Sequence, residues 1–278
     1  MLIYNIMKTP FDKIYVLSLP SFKDRYKFVY KQLKDLNLDH QFIWGTDFGN
    51  ITTDAKGCKI QYPNLWDYDE EATGRDFSCT INHYNAVYQA YEFGFEKILI
   101  MEDDICLIKD KKLIKSVLNT IPKDADFVTY DPRLSWGTDI KQFEIDLKKC
   151  KDNYIKYIGQ YDFMFGGLMY ALMNRKTIEL YLNNQRTKLF MSDNVNGLFK
   201  YVDCNKINKY ICSKCICTDQ FNVRNNFKKY DQGRLMCYMN SYARFDSLIS
   251  DDFNSPDNYN EFLRFDLDTY LRKFNLRL

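Results

Sequence analysis

Histidine is almost absent from this chain. Only His40 and His83 occur among 278 residues, so a mechanism needing several imidazoles is excluded. Net charge is nearly absent too, since 39 basic residues face 37 acidic ones for a balance of +2. Such a surface exerts no strong pull on polyanions, and no nucleic-acid partner is expected. No apolar run approaches the ~18–20 residues of a membrane span. The stretch from Met1 to Met7 is short and lacks a basic flank, so no secretory leader is expected. Disulfide-framework spacing is missing as well: the nine Cys are odd in number and irregularly placed. Free thiols in a reducing cytoplasm are therefore expected. Peripheral association with a membrane is compatible with that location. What remains, 46% hydrophobic and 27% charged residues, describes an ordinary soluble globule.

Against this plain background one stretch stands out, Lys97-Ile98-Leu99-Ile100-Met101-Glu102-Asp103-Asp104. Four consecutive apolar residues read as a short buried strand. Three carboxylates follow it at once. Burying any of them unpaired would cost roughly several kcal/mol, so a positive group is expected beside them. A divalent cation is the economical one, because Mg²⁺ and Mn²⁺ favour carboxylate oxygen and share their shell with diphosphates. In open α/β sheets, ligands gather at the carboxyl ends of strands, where these acids belong. Taken alone, the triplet reads more readily as a solvated acidic turn, because a lone acidic triplet is a weak motif.

The remaining chain supplies the frame. Lys13 to Leu19 reads as a first buried strand stopped by Pro20, Phe22 to Leu38 as a helix, and Gln41 to Trp44 as a second strand closed by Gly45-Thr46-Asp47. This is a βαβ unit with a parallel pair. Ile51 to Gly74 has no period and reads as a long surface excursion containing Trp66. Ser78 is a candidate N-cap for a helix from Cys79 to Phe93, ended by Gly94. Leu113 to Thr120 reads as a short helix and Asp126 to Tyr130 as another strand, after which Asp131-Pro132 opens a loop with Trp136. Tyr161 to Met173 is a second apolar stretch whose Gly166-Gly167 pair permits a bend between two strand segments. Arg175 to Leu182 reads as a helix, and Glu261 to Arg272 as an amphipathic tail helix.

The order of these motifs resembles glycosyltransferase family 25, which includes lipooligosaccharide and collagen-type galactosyltransferases. Ile14 to Leu19 with Asp24-Arg25 looks like that family's opening strand and its Asp-Arg. Ser78-Cys79-Thr80-Ile81-Asn82-His83 is similar to its Gly-Cys-x-x-Ser-His segment, and Ile98 to Asp104 to its Glu-Asp-Asp strand. Gly167 to Leu172 looks like its Tyr-containing strand, Asp193 falls at a Pro-x-Asp acid, and Gln220 matches a later Gln. Ser18, Ser78 and Asn82 stand where the family carries Asn, Gly and Ser, which puts the sugar's identity in doubt. The resemblance implies an α/β fold of GT-A type: a Rossmann-like, mixed but mostly parallel sheet flanked by helices. That domain would span residues 1–225, with a mostly helical C-terminal extension, 226–278, packed on it.

The resemblance further implies a UDP-sugar donor, a Mn²⁺ or Mg²⁺ cofactor, a glycan or glycoconjugate acceptor, and inverting transfer of galactose or a related hexose. On this reading the Glu-Asp-Asp segment is a DXD-like motif. Asp104 binds the metal directly, and Glu102 joins it through water or faces the ribose. Leu17, Ser18, Arg25, Thr46, Asp47, Asn82, His83 and Asp103 are the further donor-site candidates. Several have plain alternatives: Arg25 can pair with a carboxylate instead of a phosphate, His83 can be a structural imidazole, and Thr46 and Asp47 an ordinary turn. Inversion needs a base on the face opposite the leaving group. Asp193 is the candidate and Asp131 the reserve, each otherwise a cap or loop acid. Trp66 and Trp136 can stack on a sugar or pack a lid. Cys204, Cys212, Cys215 and Cys217 offer four thiolates for a zinc site, but the Cys-x-Cys pair is tight for a tetrahedral ion and a second Cys-x2-Cys is missing, so free buried thiols are the readier reading. The rival function is a catalytically silent GT-A-fold module that binds a glycan or a protein. A nucleotidyltransferase fits less well, because its Gly-rich basic loop is missing near the first strand.

Overall fold

A computed structural model of the chain describes residues 9–45, 74–130, 133–134, 138–158, 163–164, 170–185, 207–214 and 216–219. The expected βαβ unit is present as β1 (Lys13–Ser18), α1 (Lys23–Asp35) and β2 (Gln41–Trp44), with β1 and β2 parallel. Helix α1 stops where Asn37 takes a left-handed turn, φ 55°, and Leu38 N donates back to Leu33 O at 3.0 Å. Helix α2 (Gly74–Glu92) starts a full turn earlier than the sequence suggests. Ser78 is therefore a buried residue inside the helix and not its N-cap. Gly94, at φ 69°, ends that helix as expected, with Phe95 N bonded to Ala90 O.

Strand β3 (Lys97–Glu102) then runs parallel to β1, turns at Asp103-Asp104, and returns as the short β4 (Ile105–Leu107). Helix α3 (Lys111–Asn119) is capped by Asp110, whose carboxylate accepts from Lys112 N and Leu113 N. There follow β5 (Phe127–Thr129), β6 (Arg133–Leu134), α4 (Thr138–Lys149), β7 (Tyr154–Tyr157), β8 (Phe163–Met164), β9 (Tyr170–Asn174), α5 (Arg175–Gln185), β10 (Lys209–Cys212) and β11 (Cys217–Asp219). The second apolar stretch is thus two strand segments, β8 and β9.

Seven strands form one mixed sheet in the order β2-β1-β3-β9-β5-β10-β7, and two small ribbons pair β4 with β11 and β6 with β8. Strand β9 is antiparallel to both its neighbours and β7 is antiparallel at the edge; the other five run the same way. This is the mostly parallel α/β sheet flanked by helices that the sequence implies. Alternation sends Ile14, Val16, Leu99, Met101 and Val128 into one core with Val29 and Leu33 of α1 and Ile114 and Val117 of α3. The alternate residues Tyr15, Leu17, Ile98 and Ile100 are equally buried, on the face where α2 packs against β1 and α5. Both sheet faces are covered, as a largely parallel sheet requires. Among the described residues, no helix is long and apolar enough to cross a membrane. The extension 226–278 lies outside the described residues.

Candidate functional site

The parallel register brings three strand ends side by side. Leu17 pairs with Glu102 on one flank and with Ile43 on the other, and Ser18 pairs with Trp44. Because side chains alternate along a strand, the three acids diverge. Ile98 and Ile100 look toward α2, and so does Glu102. Asp103 points to the opposite side, toward α1.

On the α1 side, Asp103 is held from two directions. The Ser18 hydroxyl donates to Oδ2 at 2.6 Å, and Arg25 Nη1 lies 3.3 Å from Oδ1. The same guanidinium reaches Asp104 Oδ2 through Nη2 at 2.9 Å, and its back rests on the Phe22 ring, 4.9 Å from the centroid. Burial pushes the Asp103 carboxyl up to about 7, against the opposing pull of the Arg25 guanidinium and the Ser18 hydrogen bond. The positive group expected beside the acids is therefore, at least in part, Arg25. A planar fork suits this work, because it spans two carboxylates at once. Asp103, with a side chain 6% exposed, is shut in, whereas Asp104 at 23% and Glu102 at 24% keep an open side.

On the α2 side, Glu102 Oε1 lies 3.6 Å from His83 Nε2 and accepts from the Cys79 thiol at 3.5 Å. His83 is fully buried and its Nδ1 sits 2.9 Å from the Cys79 carbonyl oxygen. Asn82, one residue earlier, is buried against Gly45 at the end of β2; a Cβ on Gly45 would run into its amide. Gly45 N donates to Ser18 O at 2.8 Å, which ties the second strand end to the first.

The structure thus gathers Leu17, Ser18, Arg25, Asn82, His83, Glu102, Asp103 and Asp104 at one sheet edge. Thr46, Asp47, Asp131, Asp193, Trp66 and Trp136 lie outside the described residues, as do Cys204 and Cys215. The described remainder of that cysteine group is buried: Cys212 Sγ donates to Lys214 O at 3.1 Å and Cys217 Sγ to Tyr130 O at 3.7 Å. Cys79 is the participant that sequence reasoning left out of the site. Its signal was the four-residue spacing from His83, which puts both on one helix face.

Chemically, the arrangement offers a partly open carboxylate at Glu102, a shut-in one at Asp103, and at Asp104 one whose Oδ2 is held by the Arg25 guanidinium while Oδ1 is buried. Carboxylate oxygens such as those of Glu102 and Asp104 are the donor type that Mn²⁺ or Mg²⁺ prefers.

Comparison with known proteins gives one family match. The model for "Glycosyltransferase family 25 (LPS biosynthesis protein)" matches residues 11–196. Among solved structures, the chain is similar to a glycosyltransferase involved in the glycosylation of the major capsid of PBCV-1, at 11% identity over 72% of this chain and 81% of that one, TM-score 0.40. It is also similar to A197 from STIV, at 10% identity over 72% and 81%, TM-score 0.35. A third likeness is the inositol-1-phosphate CTP transferase from T. maritima, at 10% identity over 72% and 66%, TM-score 0.31. Likenesses this distant say nothing about chemistry.

Proposed function

The chain belongs to glycosyltransferase family 25, and from that premise we propose that it moves a hexose, galactose or a close relative, from a UDP-sugar to a hydroxyl of a glycan or glycosylated acceptor. The observation that carries this reading is the split of the Glu-Asp-Asp segment: Asp103 is shut in by Ser18 and Arg25, Asp104 shares the Arg25 guanidinium through Oδ2, and Glu102 turns to the other side with its side chain 24% exposed. Asp104 and Glu102 would hold a divalent ion there. When bound, that ion neutralises the donor diphosphate and stabilises the leaving group as the glycosidic bond breaks.

The chain's own residues do the rest. Asp103 fixes Arg25, and Arg25 in turn presents positive charge at the edge where a diphosphate would arrive. Leu17 and Ser18 end the first strand and, with Thr46, Asp47, Asn82 and His83, are the residues proposed to face the nucleoside. The carboxylates at this edge are committed to charge balance, so the acceptor proton needs another base. Asp193 is proposed for that part, with Asp131 in reserve, and the transfer inverts the anomeric centre.

The test is a screen of UDP- and GDP-sugars for donor hydrolysis and transfer, with and without EDTA, with the product's anomeric configuration read by NMR. Release of UDP that EDTA abolishes, and an inverted product, are expected. Full turnover in EDTA would move the charge-stabilising role from a metal to Arg25. Absence of hydrolysis with every donor, alongside retained glycan binding, would favour a silent binding module.

A further inference from the structure

We infer that Cys79, His83 and Glu102 form a binding site for a borderline-soft divalent cation, Zn²⁺ in class, which shares Glu102 with the oxygen-lined site proposed above but does not use Asp104. One ligand atom from each of the three residues lies within 4.8 Å of the other two. The measured edges are closer still: Cys79 Sγ to Glu102 Oε1 is 3.5 Å, and His83 Nε2 to the same oxygen is 3.6 Å. A tetrahedral ion with ligands at ~2.0–2.3 Å holds its ligand atoms roughly 3.3–3.6 Å apart. Those two edges have nearly that spacing before any ion is added, and the Cys79 sulfur also lies 3.5 Å from the His83 ring at Nδ1.

The imidazole is oriented for the task. A carbonyl oxygen only accepts, so the 2.9 Å contact with the Cys79 carbonyl puts the ring proton on Nδ1. In the neutral ring the lone pair is then on Nε2, which faces Glu102. Metal-bound histidines typically have this backbone-fixed tautomer. The ligands stand on regular elements: Cys79 and His83 are one turn apart on α2, and Glu102 ends the central strand β3.

A sulfur, a nitrogen and a carboxylate oxygen together favour Zn²⁺ over Mg²⁺ or Mn²⁺. On binding, the thiol releases its proton to solvent and the thiolate takes its place on the metal. Three protein ligands leave a fourth position, and the partly open Glu102 marks the side from which water or a ligand would enter. Only Oε1 of Glu102 belongs to this trio.

The proposal rests on ligand geometry and not on the transferase reading, and its test needs no donor sugar. The full chain, stripped by chelator and kept reduced, is titrated with Co²⁺ as a spectroscopic stand-in for Zn²⁺. One equivalent should bind with a thiolate-to-cobalt band in the near ultraviolet, and Zn²⁺ should bleach it. Cys79→Ser should remove the band. The isosteric Glu102→Gln should weaken binding at least about tenfold. Asp104→Asn should keep the band, which separates this site from the oxygen-lined one. Circular dichroism checks that each variant is folded. The inference is overturned if the wild-type chain gives no thiolate band, if the band survives Cys79→Ser, or if Glu102→Gln binds as tightly as wild type.

Discussion

At the scale of single residues, Arg25 carries the most weight. It bridges Asp103 and Asp104 with two different nitrogens while leaning on Phe22. Removing it leaves the buried Asp103 with the Ser18 hydroxyl as its remaining bond described above. Arg25→Ala should therefore lower stability by roughly 2–4 kcal/mol in urea denaturation, less than the full cost of breaking a wholly buried pair, because Arg25 is 19% exposed. Arg25→Lys should recover little of this, since a point charge cannot span both carboxylates. A loss below about 0.5 kcal/mol would reduce the bridge to an ordinary surface pair. Asp193 is tested differently. Asp193→Asn should lower kcat by ~10²–10⁴ while UDP binding, measured by calorimetry, stays at the wild-type level. Near-normal turnover, or a product that retains the donor configuration, would turn attention to Asp131. The acid triplet was legible because it interrupts an apolar run, but only the order of the motifs around it set it apart from a solvated acidic turn. The division of labour within it was not, since that depends on which sheet face each side chain meets. Cys79 escaped notice because a lone thiol carries no charge pattern.

At the scale of elements, the site depends on how closely α2 approaches the end of β2. Gly45 permits that approach, and the Asn82 amide fills the space a side chain would take. Gly45→Ala should push the strand end away from the helix at a cost of about 1–3 kcal/mol, as overpacking typically does. Asn82 Oδ1 has no hydrogen-bond partner among the described residues, so trimming this side chain sacrifices little. The double variant Gly45→Ala with Asn82→Ala should then melt closer to wild type than Gly45→Ala alone. A single variant with an unchanged melting temperature would show that the approach is not tight. The long elements, β1, α1, β2, β3 and α5, could be read from periodicity and punctuation. Among the short ones β5 and α3 could be read as well, whereas β4 and β11 could not. Strands β4 and β11 have three residues each, too few for alternation to register, and they exist because the turn after the acids folds back on a partner distant in sequence. Helix α4 was hidden by its charges, although Phe143 and Leu147, four apart, are its buried stripe.

At the scale of the whole molecule, the two sheet faces bury ionisable groups that are harmless at neutral pH and costly in alkali. Tyr15 is fully buried on the α2 face, its hydroxyl without a hydrogen-bond partner among the described residues, and burial pushes it up to about 12. On the other face, burial drives Cys212 up to about 12 and raises Tyr130 well above the ordinary tyrosine range. Each is an acid whose folded pKa lies above its unfolded one. Between those two values the unfolded chain has lost a proton that the folded chain retains, so stability falls as pH rises. For Cys212 that window opens near 9 and for Tyr15 near 10, and both close near 12. Each group adds at most about 1.4 kcal/mol per pH unit to the slope. The urea midpoint should therefore hold steady up to about pH 8.5, then drop steeply. Tyr15→Phe should flatten part of that drop. It should leave stability at pH 7 within roughly 1 kcal/mol of wild type, because the lost hydroxyl makes no described hydrogen bond. If Tyr15→Phe left the alkaline slope unchanged, the phenol would have to reach water in the folded state, and the packing of α2 on β1 would be looser than its burial implies.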